Sequence, residues 1–147
     1  MWQLENTYQD ELSEQFYSKQ IPESAANPEI VFFNEQLAND LGVKEIFSNQ
    51  SFIKNALSGN EIPKGAQPIA QAYAGHQFGQ FTMLGDGRAI LLGEHVVDGK
   101  RFDIQLKGSG QTKFSRRGDG RATLSSMLRE YLMSEAHYHL GVPTTRS

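Results

Sequence analysis

Lys107 closes the alternating run Phe102-Asp103-Ile104-Gln105-Leu106-Lys107 and is followed at once by Gly108-Ser109-Gly110. The pentapeptide Gly-Asp-Gly-Arg-Ala stands on either side of it, at residues 85–89 and 118–122. Glycine lets backbone N–H groups come close to an anion, while arginine and lysine supply the countercharge. Two such turns around one lysine make a cradle for a phosphorylated ligand; the plainer alternative is two tight turns that share residues. The copies lie 33 residues apart, but Ile90-Leu91-Leu92 follows the first and Thr123-Leu124-Ser125 the second. Without matching flanks the pattern is one site approached from two sides, not a solenoid array.

Charge supports an anionic ligand. Residues 1–84 carry four Lys/Arg against ten Asp/Glu, whereas residues 85–147 carry ten against seven. The basic excess of the second part suits a small phosphorylated molecule and falls short of the strongly basic face that nucleic acid requires. At 147 residues, with nine Phe and five Tyr, the chain is long enough for a domain core. A domain of that size buries about 70% of its unfolded surface. The absence of cysteine excludes disulfides and thiolate metal sites. The opening Met1-Trp2-Gln3-Leu4-Glu5-Asn6 has no signal-peptide character, and no later run approaches a membrane span. A soluble, cytoplasmic protein without nucleic-acid or membrane partners is expected.

Stepping along the chain, apolar residues at Tyr8, Leu12 and Phe16 suggest a short helix over residues 8–17. Ile30-Val31-Phe32-Phe33 reads as a strand, and Asn34 as the cap of a helix that runs through Leu41 to Gly42. Residues 51–57 form another short helix before Gly59, and residues 59–68 a loop. His76, in Tyr73-Ala74-Gly75-His76-Gln77-Phe78-Gly79, has no second ligand at metal spacing and reads as a structural histidine. Asp98-Gly99 is the two-residue turn of a hairpin between residues 89–97 and 100–107. That turn would set Lys107 opposite Ile90. Leu124, Met127, Leu128, Tyr131 and Leu132 form the apolar stripe of a helix over residues 123–140, stopped by Gly141 and Pro143. This helix is expected to pack the sheet. Glu130 flanks the stripe and Glu135 lies nearer its middle, so either can reach the lysine strand and hold its ammonium in place.

A strand lysine, a helix glutamate and a glycine-rich turn on a hairpin are the arrangement of a protein-kinase N-lobe, although residues 85–90 lack the third glycine of the kinase loop. Four segments closely resemble the selenoprotein O family: residues 73–79, 84–89, 103–110 and 114–122. Arg129-Glu130-Tyr131-Leu132-Met133-Ser134-Glu135-Ala136 and Leu140-Gly141-Val142-Pro143-Thr144-Thr145-Arg146 extend the likeness, which is dense from about residue 70 onward. The resemblance implies a pseudokinase-fold protein adenylyltransferase. Such an enzyme binds ATP turned around relative to ordinary kinases and transfers AMP to Ser, Thr or Tyr hydroxyls of proteins. Carried over by motif, Gly85, Gly87, Arg88, Asp119 and Gly120 would contact ATP, Lys107 its phosphates, and Glu130 would pair with the lysine.

The fold so implied is α+β: short helices over residues 1–69, then a kinase-like N-lobe over 70–147 with an antiparallel sheet and a packed αC-like helix. Family members run to several hundred residues. Their proton-accepting Asp, and the Asn and Asp that hold Mg or Mn, lie beyond the position of Ser147. No catalytic residue and no metal ligand is therefore expected within this chain, which reads as an N-terminal fragment, inactive alone. An isolated lobe would expose an apolar patch. The same parts would equally serve γ-phosphoryl transfer, since both reactions need a lysine, its partner and backbone donors at phosphates. A complete chain of this length would instead be a non-catalytic anion-binding or interaction domain.

Overall fold

The computed structural model describes residues 2–77 and 79–147. It is an α+β structure built on five antiparallel strands: β1 (Tyr17–Lys19), β2 (Ile69–Gln77), β3 (Gln80–Gly85), β4 (Ala89–Val97) and β5 (Lys100–Lys107). The order β1-β2-β4-β5 uses only the first part of β2, where Gln71 faces Tyr17 and Ile69 faces Leu91. Its outer part, from Ala72 to Gln77, leaves that sheet and pairs with β3. One long strand thus joins the β1-β2-β4-β5 sheet to the β2–β3 hairpin, and the first Gly-Asp-Gly turn follows β3 on the way into β4.

Among the described residues four α-helices, α1 (Thr7–Glu11), α2 (Glu35–Asp40), α3 (Gln50–Ser58) and α4 (Leu124–His139), and a 3-10 turn at Ile46–Ser48 accompany the strands. Asn34 and Asn49 cap α2 and α3, each accepting a backbone N–H with its side chain, and Gly42 and Gly59 leave them in left-handed conformations. Trp2, Leu4, Val43, Phe47 and Ile53 join Leu92 and Leu106 in the core, so the N-terminal third covers one face of the β4–β5 hairpin. Among the described residues no helix is long and apolar enough to cross a membrane.

Three expectations fail locally. The helix at residues 8–17 stops at Glu11, because Tyr17 to Lys19 find a ladder partner in β2. Residues 30–33 form no strand: no neighbour offers a ladder, and Phe32 and Phe33 instead pack their rings on Tyr131 and Phe47. The hairpin turns where expected, yet Lys107 pairs with Ala89 and not Ile90. A bulge at Leu92 shifts the register by one. The bulge coincides with the crossing of the N-terminal segment, whose Glu5 bridges to Glu94 while the Glu5 carbonyl occupies the space a Cβ at Gly93 would need.

Helix α4 lies where expected, but its stripe does not pack on the sheet. Leu124, Leu128 and Leu132 are all exposed, and Tyr131 meets Phe32. Polar contacts attach the helix at both ends. Near its N-terminal half Glu130 meets Lys107 and Arg88. At its other end the nearly buried Arg146 forms a two-pronged pair with Glu135 at 2.9 Å, a third bond to Asp40, and stacks over Tyr138. Charge, more than apolar burial, sets the helix in place.

Candidate functional site

The β2–β3 hairpin, the two Gly-Asp-Gly-Arg turns and the loop between β5 and α4 enclose a cleft of about 380 Å³. Gly85, Gly87, Arg88, Asp119 and Gly120 line it together. Tyr73 and Leu84 line it from the hairpin, and Phe114, Ser115 and Arg116 from the loop after β5. The repeated pentapeptides, 33 residues apart in sequence, are thus brought to one space.

Lys107 ends β5 and, like Glu130, is not among the residues lining the cleft; it is linked to the lining Arg88 through Glu130. Its Nζ donates to Glu130 Oε2 at 2.6 Å, and the other carboxylate oxygen lies 3.8 Å from Arg88 Nη2. One carboxylate therefore holds the lysine ammonium and lies near the arginine guanidinium. Of the two glutamates open in the sequence, Glu130 takes the lysine and Glu135 is held by Arg146. The middle of the stripe, where Glu135 lies, is not the face packed on the sheet: Leu124, Leu128 and Leu132 are exposed.

The glycines are required by close approach. A Cβ at Gly85 would enter the ring of Phe114, and one at Gly120 would enter the Gly110 backbone. Gly120 also has φ +68°, a conformation costly for other residues. Gly108, at φ +85°, packs on Ala122, and its N–H donates to the Arg88 carbonyl at 2.7 Å. The chain following Lys107 thus binds back to the first turn.

The two aspartates do different work. Asp86 turns away from the cleft and accepts the Gln71 N–H at 3.1 Å, fixing the start of the hairpin. Burial pushes its carboxyl above the ordinary aspartate range, opposed by that hydrogen bond and by the Lys107 charge. Asp119 lines the cleft and accepts the Arg121 N–H at 2.9 Å, a side-chain turn within its own loop. Arg121 in turn reaches Glu23 at 2.7 Å.

Glu23 is a residue that sequence reasoning missed. It also accepts the Gln111 N–H at 3.0 Å, while its own N–H donates to the Ser109 carbonyl. The polar N-terminal third, which reads as having no chemistry, therefore braces the second turn. Thr112, Phe114 and Ser115 were missed as well; the two hydroxyls three residues apart were the available signal. His76 stacks edge-on against Phe81 at 5.4 Å and does not line the cleft. Phe78, in the same motif, lies outside the described residues.

These features suit a nucleotide or similar anion: backbone approach enforced by glycines, the lining Arg88 with Lys107 linked to it, and Tyr73 and Leu84 at the hairpin. They do not by themselves suit a metal ion, because Glu130 is engaged by Lys107 and Asp119 by its own loop. Among the described residues no group of three or more His, Asp or Glu side chains converges as a metal site.

The chain belongs to the family described as protein adenylyltransferase SelO, whose model matches residues 3–147. It is 59% identical over 145 residues to a protein nucleotidyltransferase YdiU of Clostridium perfringens, covering 98% of this chain and 29% of that protein. A protein of the same name from Nitrosococcus oceani is 56% identical over 147 residues, covering 99% of this chain and 30% of the relative. Bacillus cytotoxicus has another, 55% identical over 148 residues. The chain thus spans about three-tenths of the length of these curated relatives.

Proposed function

We propose that this chain is the nucleotide-binding part of a protein adenylyltransferase, which transfers AMP from ATP to Ser, Thr or Tyr hydroxyls of proteins. The observation that carries the reading is the convergence of both Gly-Asp-Gly-Arg turns on one cleft, linked through Arg88 to the Lys107–Glu130 pair. Membership of the SelO family and relatives named protein nucleotidyltransferases support it. In this reading residues 70–147 form a kinase-like N-lobe and residues 1–69 an extension packed upon it.

Gly85 and Gly87 admit the nucleotide close to the backbone, Arg88 and Lys107 meet its phosphates, and Asp119 and Gly120 complete the opposite side. Glu130 holds the Lys107 ammonium in position. A fixed cation contributes most where negative charge develops on transferring phosphate, because no reorganisation is then needed during the reaction. A divalent ion, Mg or Mn, would supply further charge neutralisation. In this reading its ligands and the proton-accepting residue correspond to the length of the relatives that this chain does not span.

The deciding experiment uses a full-length protein carrying this sequence, with ATP labelled separately on the α- or the γ-phosphate. Label is expected on protein from the α-phosphate, and the 147-residue chain alone is expected to transfer none. Label arriving only from the γ-phosphate would make the enzyme a kinase. Transfer by the chain alone would refute the division of labour.

A further inference from the structure

The first Gly-Asp-Gly turn is held by its carbonyl oxygens. Thr112 Oγ1 donates to the Asp86 carbonyl at 2.5 Å, and Ser115 Oγ donates to the Gly87 carbonyl at 2.5 Å. The two hydroxyls are themselves fixed. Thr112 Oγ1 accepts the Phe114 N–H at 3.1 Å, and Ser115 Oγ accepts the Thr112 N–H at 2.7 Å. Each hydroxyl thus acts as both donor and acceptor, so neither can rotate without losing a bond. Both are part-buried. Between them the Phe114 ring fills the space over Gly85.

The consequence follows from the planarity of the peptide bond. In a trans peptide the carbonyl of one residue and the N–H of the next point in opposite directions. No cis peptide occurs among the described residues. Fixing the carbonyls of Asp86 and Gly87 therefore fixes the N–H groups of Gly87 and Arg88, turned away from the clamping loop. Those amides are the donors that a glycine turn offers to an anion. Left to itself the turn would be free to rotate these peptide planes, since glycine restrains φ and ψ poorly.

We infer that Thr112 and Ser115 are positioning residues for nucleotide binding: their hydroxyls lock the two peptide planes that present the Gly87 and Arg88 amides. The inference rests on the nucleotide-binding reading of the cleft. It adds that part of the affinity for ATP is set by two side chains whose hydroxyls are spent on backbone. The clamp acts on ground state and transition state alike, so its loss raises KM for ATP and leaves kcat nearly unchanged.

The test uses a full-length protein carrying this sequence, with binding of ATP and magnesium measured by calorimetry and turnover measured separately. Thr112→Val keeps the shape and removes the hydroxyl; Ser115→Ala does the same at the second site. Each is expected to weaken ATP binding about three- to tenfold, as loss of a hydrogen bond that leaves a carbonyl unsatisfied does. Thr112→Ser, which retains the hydroxyl, should bind ATP within about twofold of the wild type. A lowered melting temperature with unchanged ATP affinity in Thr112→Val and Ser115→Ala would show a purely structural clamp and overturn the inference. Equal weakening by Thr112→Ser and Thr112→Val would do so too, since the hydroxyl would then be irrelevant. Lys107→Ala separates the two levels. If it abolishes ATP binding while the hydroxyl variants bind normally, only the clamp fails; if it binds as wild type, the nucleotide reading fails and takes the clamp with it.

Discussion

The two Gly-Asp-Gly-Arg turns share every residue and almost no interactions. In the first, the aspartate points back to Gln71, the carbonyls are clamped by Thr112 and Ser115, and the arginine faces Glu130. In the second, the aspartate binds the N–H of its own arginine, and that arginine is held by Glu23. Gly85 and Gly87 lie outside the left-handed region, and a side chain at either meets Phe114. Gly120 is left-handed and packed on backbone. A pentapeptide can mark a site, but what each residue does there is decided by its neighbours in space.

The largest effect should separate the glycines. Gly120→Ala combines an unfavourable φ with a collision against the Gly110 backbone and should cost roughly 2–4 kcal/mol in thermal or denaturant unfolding. Gly87→Ala brings a Cβ to 3.1 Å from the Phe114 carbonyl and has no such φ. It should cost under about 1 kcal/mol. Equal losses would erase the distinction between the turns.

The arginines come next. Arg88→Ala should weaken ATP binding about tenfold in the full-length protein, because it removes a cation that Glu130 aims at the cleft. Arg121→Ala should weaken it only about twofold, since that guanidinium is already spent on Glu23. A reversal of this order would assign the anion to the second turn.

The smallest effect is a pH dependence at Asp86. Its carboxyl is raised by burial, so the folded state binds the proton more tightly than the unfolded chain. The stability it contributes is complete below the ordinary aspartate value and is lost as pH rises through the raised one. Asp86→Asn keeps an acceptor for Gln71 and removes the titration. The variant should therefore gain stability relative to wild type as pH climbs through that window, followed by unfolding at several pH values. A gain on acidification would show that the carboxylate is stabilised by its surroundings.

Much of this arrangement was legible because it is local. Asp98-Gly99 sets the hairpin, Asn34 and Gly42 bound α2, and Gly85, Gly87 and Gly120 line the cleft. What was hidden depends on distant partners. The Leu92 bulge that moves Lys107 opposite Ala89 is tied to the crossing of Glu5, a residue 102 positions away from that lysine. Glu23 carries no motif, and its role exists only because the loop after β5 folds over it. Residues 30–33 have strand composition, but composition supplies no partner strand, and their rings found aromatic neighbours instead.

Helix α4 is fastened by two ionic anchors of unequal shelter. Lys107 and Glu130 have side chains 39% and 44% exposed, whereas Arg146 and Glu135 are at 11% and 14%. Dissolved ions weaken an exposed pair far more than a sheltered one. Rising ionic strength therefore loosens the Glu130 anchor while the Arg146 anchor holds, making the far end of the helix its pivot. The same change relaxes the aim of Arg88 and Lys107, so the electrolyte around the protein becomes a control on the geometry of its cleft.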